Sequence, residues 1–152
     1  MEFFVLLTSA AGVAGGGGQS NHAAGNTFED ALAGYRVARG ERAVAIAFGP
    51  VISEDVVAEN DMLMRQLLRR DAVCPTSLEE VFAMFDHYCD PLTPMPSLQE
   101  SQLITGLKFP ADLVARGGEI PIELSKPTFS IMRKVQSREG QAADSVGQTP
   151  NF

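Results

Sequence analysis

Phe3-Phe4-Val5-Leu6-Leu7 is an apolar run of strand length with no polar residue at alternate positions. A strand with one wet face alternates apolar and polar side chains. A run without alternation suits a strand buried on both faces, as in a parallel sheet. Such a strand needs neighbours, and its connections must be long enough to carry a helix. Thr8 and Ser9 end the run, and Gly12 to Gly18 follow as a flexible, glycine-rich turn. From about Asn21 to Arg39 the spacing becomes helical, with Ala24, Phe28, Ala31, Leu32 and Tyr35 as the stripe expected to face the core. Gly40 stands where a helix-terminating glycine belongs. Ala43-Val44-Ala45-Ile46-Ala47-Phe48 is a second buried strand, ended by Gly49-Pro50. Strand, loop, helix and strand make one βαβ unit, a parallel pair with a right-handed crossover.

Further along, Glu59 to Arg70 reads as a short helix whose apolar side holds Met62, Leu63, Met64 and Leu67. Ser77, with Glu80 three residues later, forms a capping box. Leu78, Val81, Phe82 and Phe85 give that helix its stripe, and Asp90-Pro91 closes it. Leu92 to Pro96 is a proline-punctuated loop, and Gln102 to Leu107 is a third, shorter strand. The segment through Pro110, Pro121 and Pro127 has little periodicity. From Ser137 onward the polar run reads as a disordered tail or linker. The expected organisation is therefore one domain over residues 1–136 and a tail over 137–152.

A chain of 152 residues suffices for one domain with a substantial core. Its net charge of -7 argues against nucleic acid as a partner, because phosphate binding needs a basic face. Two cysteines, Cys74 and Cys89, do not make a disulfide scaffold. A zinc site from Cys74, His87 and Cys89 lacks a fourth ligand and paired spacing, so no metal is expected. The amino terminus superficially resembles a secretory signal but carries Glu2 in place of a basic region. No apolar run approaches the ~18 residues of a membrane span, so a cytoplasmic protein is expected.

The segment running from Ser9 through Gly12 to Gly18-Gln19-Ser20-Asn21-His22-Ala23-Ala24-Gly25-Asn26-Thr27-Phe28 resembles the active-site segment of ketoreductase domains of fungal highly reducing polyketide synthases. These are relatives of the short-chain dehydrogenases/reductases. The family's pattern is Ser-Ser-x-x-Gly, then Gly-Gln-x-Asn-Tyr-Ala-x-Gly-Asn-Thr-Phe-x-Asp-Ala-Leu-Ala. Ser77-Leu78-Glu79-Glu80, Gln102 to Leu107 and Lys126-Pro127-Thr128-Phe129 continue the likeness. It covers roughly residues 3 to 135, corresponding to the carboxyl-terminal half of such a domain. The implied fold is α/β, an incomplete Rossmann-like, doubly wound parallel sheet with an irregular carboxyl-terminal tail.

The resemblance also implies a chemistry. In the family a tyrosine donates a proton to the substrate carbonyl as hydride arrives from NADPH, while a serine holds the carbonyl oxygen. A lysine tunes the tyrosine, and an asparagine completes a proton relay. Ser9 and Asn26 match the serine and the asparagine, and His22 stands at the tyrosine position. Four residues apart on a helix share a face, so His22 and Asn26 can line one cleft with Ser9. Imidazole is a competent acid, but its nitrogen ends roughly 2 Å nearer the backbone than a phenol oxygen, and ~1 Å of misplacement costs about 100-fold. The plainer alternative is a helix-start histidine that is partly exposed; for Ser9 it is a turn residue bonded to local backbone.

Gly49, Pro50 and Val51 lie at the carboxyl edge of the second strand, where open α/β sheets bind ligands. By resemblance this turn contacts the nicotinamide of NADPH, and residues 56–70 form a lid over the substrate. Gly12 to Gly18 also fits the glycine fingerprint Gly-x-x-x-Gly-x-Gly. Its distance from the strand end and the lack of a ribose-reading residue after the next strand argue against that role. The family's lysine and pyrophosphate site lie upstream of the matched segment. The expected function is therefore a truncated, ketoreductase-like segment of polyketide biosynthesis without catalysis of its own. The alternatives are an NADPH-dependent reductase of 3-oxoacyl thioesters using His22, and an accessory protein docking on a polyketide synthase or acyl carrier domain. The first strand would sit centrally in the parent sheet, so an exposed edge and self-association through it are expected.

Overall fold

The computed structural model describes residues 2–15, 18–52 and 72–135. The expected helix over 59–70, the lid and the tail from Ser137 lie outside the described residues, as does the domain boundary at 136/137. By internal contacts the chain divides into two units, Met1–Leu107 and Lys108–Phe152.

The first unit is α/β, as expected. Strand β1 (Val5–Ser9) pairs in parallel with β2 (Val44–Phe48), and β2 with β5 (Gln102–Ile104), in the order β1-β2-β5. The register sets Leu7 beside Ile46 and Ile46 beside Leu103. Every residue of β2 is buried, which is what its unbroken apolar run requires. Within that run, size alternates. Ala43 and Ala45 face the buried Ala33 and Val37 of helix α2 (Ser20–Ala38), with Phe4 and Leu6 packed beside them. Val44, Ile46 and Phe48 face the other way. They pack with Val81, Met84, Phe85 and Tyr88 of helix α3 (Leu78–Cys89).

Helix α2 corrects the expected stripe. Ala24, Phe28, Ala31 and Tyr35 are exposed, and the buried positions are Asn26, Ala33 and Val37. The sheet presents alanines to this helix, so the helix lies close against it. Small side chains fit that spacing, and a phenylalanine or tyrosine does not. The helix ends as its sequence suggests. Gly40 adopts φ 76°, its N–H donating to Val37 and that of Glu41 to Arg36. This is a Schellman motif.

Residues 10–14 are a second correction. The glycine-rich turn begins with a short helix, α1 (Ala10–Ala14), capped by Ser9. Helix α3 carries the full Ser77–Glu80 capping box. A small parallel pair, β3 (Val51–Ile52) with β4 (Thr76–Ser77), was not signalled by periodicity. At two residues each, these strands are too short to show any. In the second unit, helix α4 (Pro110–Ala115) opens with proline at its first turn and ends at Gly117, φ 78°. Pro110, Leu124 and Phe129 are the unit's buried residues among those described.

Candidate active site

The carboxyl ends of β1 and β2 carry the residues matched by resemblance. Ser9 is the last residue of β1 and the N-cap of α1. Its Oγ accepts the Ala11 N–H at 3.2 Å. Helix α1 then docks on the start of α2, where a Cβ on Gly12 would stand 2.9 Å from the Asn26 Cβ. Thr27 Oγ1 donates to the Ala23 carbonyl of its own helix at 2.8 Å and lies 3.3 Å from the Gly12 carbonyl of α1. Asn26 is thus buried where α1 meets α2.

His22 lies one turn before Asn26 and is exposed. Asn26 Nδ2 donates to the His22 carbonyl at 2.7 Å and lies 3.3 and 3.4 Å from the two ring nitrogens. The amide thereby holds the imidazole against its own helix, and the ring nitrogen that accepts is set by the tautomer. Ser9 makes no hydrogen bond to His22 or Asn26 among the described residues. The structure therefore joins His22 to Asn26, and packs Asn26 on the helix that Ser9 caps.

Gly49 is a glycine because backbone presses on it. A Cβ there would meet the Cys74 carbonyl at 2.7 Å and the Gly106 Cα at 2.9 Å. The Pro50 carbonyl accepts the Thr76 N–H at 2.9 Å, and Val51 pairs with Thr76 in the β3–β4 ladder. The backbone of this turn is engaged by the protein's own strands. Val51 alone of the three presents an exposed side chain. A small pocket lined by Phe4, Arg42, Tyr88, Pro94 and Pro96 lies at the opposite, amino end of the strands. No group of three metal-ligating side chains is present among the described residues.

One polar cluster escaped the sequence reading. Buried Thr8 donates through Oγ1 to Asp30 Oδ1 at 2.9 Å, and Gln102 of β5 also bonds the Asp30 carboxyl. Burial raises the Asp30 pKa, against the opposing pull of Thr8 and Gln102. The signal was present in the sequence, because residues 22, 26 and 30 share one helical face at successive four-residue steps. A raised native pKa means that the folded state holds its proton more tightly than the unfolded chain. Stability then falls as pH rises from the unfolded pKa through the native one, and ionised Asp30 is a net cost above it. Asp30→Asn keeps an acceptor for Thr8 and is expected to raise the urea midpoint at pH 7. The gain should vanish below about pH 4, where both chains are uncharged at this site.

Comparison with known proteins places these features. Residues 1–53 match the KR domain model, a span that takes in Ser9, His22, Asn26, Gly49, Pro50 and Val51. The reducing polyketide synthase pksF of Alternaria solani is 36% identical over 138 residues, covering 91% of this chain and 6% of that protein. The chain is a ketoreductase-like segment of the polyketide synthase kind. Highly reducing polyketide synthase 40 of Fusarium mangiferae is 35% identical over 90% of the chain. The lovastatin diketide synthase lovF of Aspergillus terreus is 39% identical over 70% of it. The ketoreductase-like chain spans 6% or less of the length of these relatives. In fold it is similar to an A-type ketoreductase from a modular polyketide synthase, with TM-score 0.55 at 23% identity, over 86% of this chain and 26% of that one. No helix among the described residues is long and apolar enough to cross a membrane.

Proposed function

We propose that this ketoreductase-like chain serves polyketide biosynthesis without catalysing hydride transfer on its own. The observation that carries the proposal is how the matched polar groups are engaged. Ser9 Oγ caps α1, the Asn26 amide is bound to His22, and His22 itself stands exposed at the position of the family's proton donor. A carbonyl held for reduction needs a donor aimed at its oxygen from a fixed, water-poor position. An exposed imidazole, shorter than a phenol, offers neither. The family's cofactor is NADPH, and Gly49, Pro50 and Val51 would meet its nicotinamide. Their backbone engagement supports a purely structural role for the turn.

Isothermal calorimetry with NADPH tests this directly. No saturable heat is expected, corresponding to a Kd weaker than about 1 mM. Micromolar binding would overturn the proposal and return His22 as the acid of a working 3-oxoacyl reductase. A second reading, docking on a polyketide synthase or its acyl carrier domain, is favoured by the outer edge of β1, which has no strand partner among the described residues. Such an edge is a template for strand addition. Co-purification with a polyketide synthase that is lost on Leu7→Pro, which removes an outward-pointing backbone donor from the edge strand, would support docking.

A further inference from the structure

Helix α3 ends against a proline. The carbonyls of a helix's last turn await an N–H from four residues on, and Pro91 has none to offer His87. Thr93 supplies a donor from beyond the helix, its Oγ1 bonding the His87 carbonyl at 2.8 Å. Residues 91–96, Pro-Leu-Thr-Pro-Met-Pro, form a loop in which three backbone nitrogens carry no hydrogen. Side chains therefore hold much of it. Arg42 donates to the Asp90 carbonyl at 3.2 Å and to the Thr93 carbonyl at 2.6 Å. A turn closes between them, the Thr93 N–H donating to the Asp90 carbonyl at 3.1 Å.

We propose that Thr93 is a phosphorylation site for a proline-directed serine/threonine kinase, and that its phosphate undoes this cap and frees the loop. Among the described residues, Thr93 is the one hydroxyl residue followed directly by proline. Proline disfavours the helical region for the residue before it, and an extended segment is what a substrate groove takes. Pro91, Leu92, Pro94 and Met95 are exposed around the acceptor, Leu92 at 88%. By contrast, Ser9 and Ser77 cap their helices from residues that strand pairing fixes.

In the transfer, Thr93 Oγ1 bonds the γ-phosphorus of ATP as the link to the β,γ-bridging oxygen breaks. ADP leaves with the electron pair, and the hydroxyl proton passes to the kinase's base. The product has no hydroxyl hydrogen left for the His87 carbonyl. It also sets a charge of about -1.5 to -2 beside the negative end of α3 and the Asp90 carboxylate, which repel it. Arg42 already lies against the Thr93 carbonyl, and a phosphate is a stronger partner for guanidinium than a neutral carbonyl. Arg42 accordingly moves to the phosphate, and the loop loses both kinds of side-chain tie. Thr93, Pro94 and Pro96 line a pocket with Phe4 and Tyr88, so release of the loop opens that apolar floor.

The test treats the folded full chain with a purified proline-directed kinase and MgATP, followed by peptide mapping in a mass spectrometer. One phosphoryl group is expected on Thr93, resolved by the mapping from Thr149, which also precedes a proline. Thr93→Ser should keep the label, and Pro94→Ala should slow it at least ~10-fold. In the phosphorylated chain, hydrogen exchange at the Leu92 and Thr93 amides should quicken at least ~10-fold, with β2 unchanged. Thr93→Ala loses the cap bond without gaining charge, and should quicken these amides less. Labelling of Thr93 only after denaturation would overturn the proposal. So would a phosphorylated chain whose loop amides exchange at the native rate, or labelling indifferent to Pro94→Ala.

Discussion

Gly106→Ala is expected to destabilise the first unit by roughly 3–5 kcal/mol, enough to unfold a marginally stable domain. Gly106 adopts φ 69°, a region that costs a side chain strain before any contact is considered. A Cβ there would also stand 2.6 Å from the Gly49 Cα, 2.8 Å from the Gly49 nitrogen and 2.8 Å from the Cys74 carbonyl. All three are backbone atoms, so no rotamer change relieves the overlap. Two segments would have to separate: the turn after β2, and residue 74, whose N–H donates to the Gly106 carbonyl at 2.8 Å. Gly25→Ala is the matched control. Gly25 lies inside α2, has no neighbour within 4 Å of its would-be Cβ and is free of positive φ. Alanine there should stabilise by about 1 kcal/mol, because glycine gives up more backbone freedom in a helix. Urea unfolding of both variants reads the contrast. A Gly106→Ala chain as stable as the native one would show that the Gly49–Gly106 contact does not form.

Ile46→Ala should cost about 2–5 kcal/mol, whereas Leu7→Ala should cost less than about 1. The two residues are Cα partners in the β1–β2 ladder and belong to the same row of side chains. Ile46 is fully buried in the cluster of Val44, Phe48 and Val81, while Leu7 is 56% exposed. Truncating the first leaves a cavity between sheet and helix, and truncating the second removes surface already wet. Urea midpoints at equal m-value settle it. A Leu7→Ala chain losing as much as Ile46→Ala would mean that β1 is covered in solution. That is also the result expected if the chain self-associates through its sheet edge.

The buried face of α2 was only half legible. His22 and Asn26 could be placed on one face from their spacing, and extending the step reaches Asp30, Ala33 and Val37, the side the sheet covers. The rival stripe of Ala24, Phe28, Ala31 and Tyr35 has the same periodicity and larger apolar residues, so hydropathy alone favours it. Similarly, Val44-Ala45-Ile46-Ala47-Phe48 reads as uniformly apolar, yet its small and large residues sort to opposite faces and decide which helix lies where. Ser9 could be read as a turn residue bonded to local backbone or as a catalytic hydroxyl; the structure adds that its Oγ accepts the Ala11 N–H and caps α1. Gly106 gave no signal, since its neighbours, Gly49 and Cys74, lie far from it in sequence.

What the sequence by itself determined rests on local physics: strands where apolar residues run unbroken, a helix that begins at a capping box, another that ends at Gly40, and a motif that marks the family. Only the tertiary structure decided which side of α2 is buried, why Gly49 and Gly106 must be glycine, and how Ser9, His22 and Asn26 are engaged. The reason is that caps and helix ends are settled within a few residues of chain. Burial is settled by whichever surface the sheet offers, and a sheet of alanines admits only a helix face of small side chains.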